Sequence, residues 1–325
     1  MKAIQIGQPG RDYRLTVSEE PRPVPRPGEV LIAVAGAGLN NADLLQARGK
    51  YPPPPGASSI LGMEVSGTIA GLGDGVAGWK IGDRVCALLP GGGYAEFALA
   101  NAGSVLPVPD GVDLVDAAGL PEAAFTAWTN IMDTGRLAPG ESLLIHGATS
   151  GIGSLGVQIF AARGHKVFAT AGSDEKCEAA RKFGAARAIN YRKEDFVEAV
   201  KSETGGKGVD VILDMVGGDY IQRNIEAAAP WGRIVNIAYQ KGGMAEVNFM
   251  PVLTKRLTLA ATTLRGRTQD QKRAIRDALR REVWPLLGTA IRPVIDRVFP
   301  LDQAGQAHEF MAKTSHIGKI LLKMP

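Results

Sequence analysis

The run Glu141-Ser142-Leu143-Leu144-Ile145-His146-Gly147-Ala148-Thr149-Ser150-Gly151-Ile152-Gly153-Ser154-Leu155-Gly156 reads as a buried strand, a glycine-rich turn and the start of a helix. Gly151, Gly153 and Gly156 carry the G-x-G-x-x-G spacing of a dinucleotide-binding turn. Each glycine answers a separate need: a tight turn, room for a pyrophosphate against bare backbone, and close packing of helix on strand. The first helical turn then offers unpaired N–H groups and the positive end of the helix dipole to that pyrophosphate. Glycine-rich turns are common, so the context matters. The following helix carries Leu155, Ile159 and Ala162 on one face, stops at Gly164 and gives way to a second short strand, Lys166 to Thr170.

Roughly 20 residues beyond the first glycine, NAD sites place an acid that binds the ribose. Ala171 occupies that region here. Without a carboxylate, a 2′-phosphate escapes a like-charge contact on the order of 4 kcal/mol at ~4 Å in a surface-like dielectric. The small-residue turn Ala171-Gly172-Ser173, followed by Lys176, suits that phosphate with N–H groups, a hydroxyl and a cation. NADPH is therefore favoured over NADH. The same residues also suit a plainer arrangement, with Ser173 as a helix cap and Lys176 as a solvated lysine.

Between about residues 142 and 262, strand-like and helical runs alternate. The strands are Leu143 to His146, Lys166 to Thr170, Arg187 to Asn190, Val209 to Val216, Arg233 to Tyr239 and Leu257 to Ala261. This alternation predicts an α/β domain, a doubly wound six-stranded parallel sheet with its ligand at the carboxyl ends of the strands. The earlier residues differ, with short β-like runs (Glu29 to Ala35, Val65 to Ala70, Arg84 to Leu89, Tyr94 to Ala98) broken by Gly and Pro. After Gly266 come a helix and two strand-like runs, Val294 to Phe299 and Gly318 to Leu322, expected to rejoin the first domain. The expected division is 1–121 and 267–325 for a discontinuous β-rich domain, and 122–266 for the dinucleotide-binding domain.

The formal charge of +4 does not point to nucleic acid, and no nucleic-acid or membrane partner is expected. In the densest basic stretch, Lys272 to Arg281, Ile275 and Leu279 recur at helical spacing, so its charges are expected to form the wet side of an amphipathic helix. Two widely separated cysteines, Cys86 and Cys177, fit a reducing compartment. With no apolar leader and no apolar run approaching roughly 18 residues, a cytoplasmic enzyme is the expectation.

Gly62-Met63-Glu64-Val65-Ser66-Gly67, followed by Gly73, Val76 and Gly82-Asp83-Arg84-Val85, resembles the G-x-E-x-x-G...G-D-x-V segment of the medium-chain dehydrogenase/reductase superfamily. Leu39 to Gln46, Gly49 to Ser58 and Ala87 to Gly93 are similar to its zinc-free, zeta-crystallin-like quinone oxidoreductases, and within those to the tumour-suppressor-inducible subgroup. The resemblance implies a Rossmann domain with a GroES-like catalytic domain, and a homodimer joined through the strand near Leu257 to Leu264. It implies Asn40 and Tyr51 beside nicotinamide and substrate, and Thr126 at the nicotinamide half of the cofactor. It places Ser150, Gly151, Ile152, Gly153 and Gly156 at the pyrophosphate, and Gly172, Ser173, Lys176 and Tyr191 around the 2′-phosphate, with Tyr239 and Lys319 as further cofactor contacts. Asn41, where the subgroup commonly carries arginine, and Ala148-Thr149, in place of a glycine-containing pair, depart from the pattern.

Zinc-dependent relatives hold a catalytic metal with cysteine or aspartate, histidine and cysteine. In this chain the first ligand position falls within Leu39-Asn40-Asn41-Ala42, the histidine of G-H-E is Met63, and His146, His165, His308 and His316 stand singly. No metal is expected. Without a Lewis acid to polarise an alcohol, reduction of an already electrophilic acceptor, a quinone or an α,β-unsaturated carbonyl, is favoured. Tyr51 is the candidate donor to the acceptor oxygen, with Asn40 orienting it or the cofactor; a tyrosine packed beside a Pro-rich turn is the other reading. Two alternatives stay open: enone or alkenal reduction as the main activity, and an NADPH-binding protein with an RNA-binding or structural role.

Overall fold

The computed structural model describes residues 1–325 and divides into two compact units, Met1–Phe125 with Arg265–Pro325, and Thr126–Leu264. The first unit opens with a hairpin of β1 (Lys2–Ile6) and β2 (Leu15–Glu19). The long strand β3 (Glu29–Gly38) follows, then the short helix α1 (Asn41–Ala47) and strands β4 (Glu64–Leu72), β5 (Arg84–Leu88), β6 (Phe97–Asn101) and β7 (Val105–Pro107). β3 is central in its sheet, with β4 along one edge and β6 and the chain's last strand, Lys319–Lys323, along the other, and its largely buried side chains pack into the core. Ile4, Ile32, Leu39, Leu61, Ile69 and Tyr94 are among the side chains that fill the core.

Helix α2 (Pro121–Trp128) carries the chain into the second unit. There β8 (Ser142–Ile145), α3 (Gly151–Ala162), β9 (Lys166–Ala171), α4 (Asp174–Lys182), β10 (Arg187–Asn190), α5 (Phe196–Glu203), β11 (Val209–Asp214), α6 (Tyr220–Ala227), β12 (Ala228–Asn236), α7 (Met250–Lys255) and β13 (Thr258–Ala261) alternate as expected. The six strands are parallel, in the order β10-β9-β8-β11-β12-β13. That is the Rossmann order, with its reversal between β8 and β11. Two strands differ most from expectation: the fourth ends at Asp214 and not at Val216, and the fifth begins at Ala228 and ends at Asn236, so Tyr239 lies beyond it. Gln240 and Lys241 there donate backbone bonds to Met215 and Val216.

The chain then returns to the first unit. Helix α8 (Gln269–Glu282) starts with a reciprocal cap, Gln271 N–H donating to Thr268 Oγ1 at 3.2 Å and Thr268 N–H to Gln271 Oε1 at 3.0 Å. Its inner stripe is Lys272, Ile275 and Leu279. The wet-side reading therefore fails at Lys272, which is 5% exposed and donates from Nζ to the Arg265 carbonyl at 3.0 Å. Strand β14 (Ile295–Pro300), helix α9 (Ala304–Ala312) and strand β15 (Lys319–Lys323) follow. β15 pairs antiparallel with β3 and parallel with β14, making the first domain discontinuous. No helix is long and apolar enough to cross a membrane.

Candidate active site and cofactor site

In the second unit, β8 ends in a turn that delivers the first turn of α3. Ser150 caps this helix, its Oγ accepting from Gly153 N–H at 3.0 Å. A Cβ at Gly153 would collide with the Gly147 carbonyl oxygen, so the turn closes only around glycine. Gly156 has a gentler requirement, since a Cβ there would sit 3.3 Å from Ile145 Cδ1 on the strand below. Bare backbone followed by a helix N-terminus of three turns is a cradle that a pyrophosphate fits. Thr126, in α2, is buried, with its carbonyl accepting from Asn130 Nδ2 at 2.8 Å.

β9 ends at the buried Ala171, and Ser173 caps α4 by accepting from Lys176 N–H at 3.2 Å. The half-exposed Tyr191 stands over Gly172, where a Cβ would meet its hydroxyl at 2.6 Å. Gly172, Ser173, Lys176 and Tyr191 thus share the end of β9. The same first turn also holds two carboxylates that sequence reasoning missed, Asp174 and Glu175. Asp174 is held by Lys193 and by Asn190 Nδ2 at 2.7 Å, and these hydrogen bonds lower its pKa. Tyr239 packs over Gly217 beyond the ends of β11 and β12.

In the first unit, β3, α1, β4 and β15 bring together Asn40, Glu64 and Lys319. Asn40 Nδ2 donates to Glu64 Oε1 at 2.9 Å, and Lys319 Nζ donates to Asn40 Oδ1 at 2.8 Å and to the Leu39 carbonyl at 2.9 Å. Lys319 also ion-pairs with the fully buried Glu64, whose Oε2 accepts from Glu122 N–H at 2.8 Å. The ammonium has three donors, and these partners use them all. Lys319 therefore fixes Asn40 instead of reaching out as a cofactor contact, and Asn40 is oriented by Glu64 and Lys319 with no hydrogen bond to Tyr51.

Tyr51 instead adjoins Arg265, whose guanidinium carbon lies 5.3 Å from the ring centroid. Burial raises the Tyr51 pKa and Glu122 raises it further, while Arg265 opposes them. The phenol stays a neutral donor. Arg265 follows the last Rossmann strand, and no motif in the sequence marks it.

Beneath α1, Asp43 accepts from Asn40 N–H at 2.8 Å, from Gly62 N–H at 3.0 Å and from the Tyr94 hydroxyl at 3.3 Å. His308 links Tyr94, at 3.3 Å from Nε2, to Tyr13, at 2.8 Å from Nδ1. Burial pushes Asp43 up to about 6 and His308 down to about 4. The two act oppositely on stability. As pH falls from roughly 6.5 to about 4, the unfolded chain takes up a proton that native His308 refuses, so stability is lost. As pH falls from about 6 toward the ordinary carboxylate range, native Asp43 takes up a proton first, so stability is gained. His308→Asn is expected to remove only the first effect, so that the variant gains roughly 3 kcal/mol on the natural protein between pH 7 and pH 4. Urea unfolding of both proteins across this range checks it; parallel pH profiles would refute it.

A family model for the alcohol dehydrogenase GroES-like domain matches residues 26–110, and one for zinc-binding dehydrogenase matches residues 151–280. The chain is 32% identical over 328 residues to the quinone oxidoreductase of Rattus norvegicus, covering 99% of this chain and 97% of that protein. It is 34% identical over 323 residues to a phenolphthiocerol/phthiocerol polyketide synthase of Mycobacterium tuberculosis, covering 99% of this chain and spanning 15% of that protein's length. Among solved structures, CurK enoyl reductase superposes with a TM-score of 0.87 at 29% identity over 100% of this chain and 99% of that one. Escherichia coli quinone oxidoreductase complexed with NADPH gives 0.84 at 28% identity, over 99% and 98%. The chain belongs to the medium-chain dehydrogenase/reductase superfamily, in its quinone oxidoreductase-like branch. It is an oxidoreductase.

Proposed function

We propose that the protein is a zinc-independent, NADPH-dependent reductase that delivers hydride to quinones or other electrophilic α,β-unsaturated carbonyl compounds. The observation that carries this reading is the Asn40–Glu64–Lys319 lock. Where zinc-dependent relatives gather metal ligands, this chain offers an amide and one carboxylate already satisfied by an ammonium, and no group of three His, Cys, Asp or Glu side chains converges anywhere. These residues do not fit zinc. The acceptor must then be electrophilic without metal help.

NADPH fits the Gly153 cradle, with Ser173, Lys176 and Tyr191 at its 2′-phosphate, and when bound supplies the hydride. The chain's own work is to place the acceptor and to meet the charge developing on its oxygen, for which the Tyr51 hydroxyl is the donor. Steady-state assays with NADPH against quinones, alkenals and alcohols test this. Turnover of quinones or alkenals is expected; alcohol oxidation as the dominant activity, or about one zinc per purified chain, would overturn it. The CurK enoyl reductase match supports enone reduction as a second reading within the same chemistry.

Ala171→Asp is expected to weaken NADPH binding and narrow its advantage over NADH, because it restores a carboxylate that repels the 2′-phosphate. Fluorescence titration of both cofactors measures this. Equal affinity of the unaltered protein for both would refute the preference, and Asp174 and Glu175 would then be the charges to examine.

The reading includes a homodimer. Strand β13 is an open sheet edge with Leu259 exposed, and α7 buries none of its residues, leaving Met250 and Leu253 exposed. Pairing of two β13 edges across a two-fold axis would satisfy that edge. A sedimentation mass of one chain at micromolar concentration would rule it out.

A further inference from the structure

Arg265 is a buried cation without a counter-ion. The residue is 8% exposed. Its Nε and Nη2 donate to the Pro90 carbonyl at 2.9 and 2.6 Å, and Nη2 also to Gln46 Oε1 at 2.8 Å. All these acceptors are neutral. Nη1 is buried and has no partner. A second buried cation, Lys272, donates to the Arg265 carbonyl at 3.0 Å. Burial lowers the pKa of both; Tyr51, Asp43 and Glu122 act on Arg265 through space, but none forms an ion pair with it. An arginine needed only to tether Pro90 and Gln46 would gain nothing from an unpaired buried N–H group, which costs about 1 to 3 kcal/mol and more for a charged group. A buried guanidinium is relieved when an anion completes its fork.

We propose that Arg265, through Nη1 and beside the Tyr51 ring, forms a subsite for a carboxylate carried by the acceptor, so that the preferred substrates are anionic quinones or enones. This rests on the reductase reading above. Tyr51 meets the reducible oxygen and Arg265 the carboxylate, two separate demands on one molecule. For a quinone, the ring takes a hydride from NADPH and a proton from solvent, giving hydroquinone and NADP⁺; the carboxylate is unchanged.

A naphthoquinone bearing a propionate side chain and its methyl ester form the test pair, because the carboxylate is not conjugated with the ring and the two are similarly electrophilic. The natural protein is expected to favour the acid by about tenfold or more in kcat/KM, in keeping with a charged hydrogen bond. In Arg265→Met the acid-to-ester ratio is expected to fall to about one. Arg265→Lys, which keeps the charge but not the fork, should give an intermediate ratio. NADPH titration shows that each variant is folded. No preference in the natural protein, or a ratio unchanged in Arg265→Met, would overturn the proposal and leave Arg265 as a tether. If neither these quinones nor alkenals are reduced, the reductase reading fails, and the subsite is judged alone from equilibrium binding of the acid and the ester: tighter binding of the acid, lost in Arg265→Met, upholds it, and equal binding refutes it.

Discussion

Lys319→Met is expected to destabilise the protein by about 3 to 5 kcal/mol, because it strands a carboxylate in the core. Glu64 is fully buried and its Oε1 depends on Lys319 and Asn40. Removing the ammonium also frees Asn40 Oδ1 and the Leu39 carbonyl, so the strand-to-helix junction loses both fastenings. A fall in melting temperature of roughly 10 °C follows for a unit of this size. Glu64→Gln combined with Lys319→Met removes both charges, and recovery of most of the loss is expected. The double variant should remain a poor enzyme, since Asn40 Oδ1 is no longer held. Calorimetry of the single and double variants checks the pair; a single variant as stable as the natural protein would refute a stabilising role for the buried ion pair.

The nucleotide-binding half is legible in the sequence because its signals are local. The glycines at 151, 153 and 156 lie within one turn and one helix, and the strand–helix alternation marks out six parallel strands. Ala171 falls at the end of β9, where its distance from the first glycine puts it. The first unit is legible as β-rich and discontinuous, but its site is not. Glu64 and Lys319 lie 24 and 279 residues from Asn40 along the chain, and no periodicity connects them. Lysine beside an anionic cofactor is the common case, whereas the burial of Lys319 comes from β15 pairing with β3.

Lys272 and Arg265 escape the sequence for a related reason. Amphipathic patterning assigns charges to the wet side of a helix, and it has no way to mark a lysine whose ammonium caps a neighbouring carbonyl. Arg265 carries no sequence signal because its hydrogen-bond partners, Pro90 and Gln46, come from distant segments. Cations that break the hydrophobic pattern near a domain boundary are thus the residues where pattern reading stops and the site's chemistry begins.

Tyr51→Phe is expected to lower turnover while leaving NADPH affinity nearly unchanged. The hydroxyl is neutral at physiological pH, because burial and Glu122 raise its pKa more than Arg265 lowers it, so it is available as a donor. A donor aimed at developing oxygen charge acts mainly in the transition state, and its loss falls on both kcat and kcat/KM. By analogy with other oxyanion donors the loss reaches about 100-fold for alkenals, whose enolate oxygen needs the help. For quinones the deficit is expected to be smaller, since the hydroquinone oxygen is a more stable place for the charge. Phenylalanine keeps the ring that Arg265 lies against, so the packing survives the substitution. Steady-state kinetics with both acceptor classes measure the split, and unchanged rates with both would assign Tyr51 to packing alone.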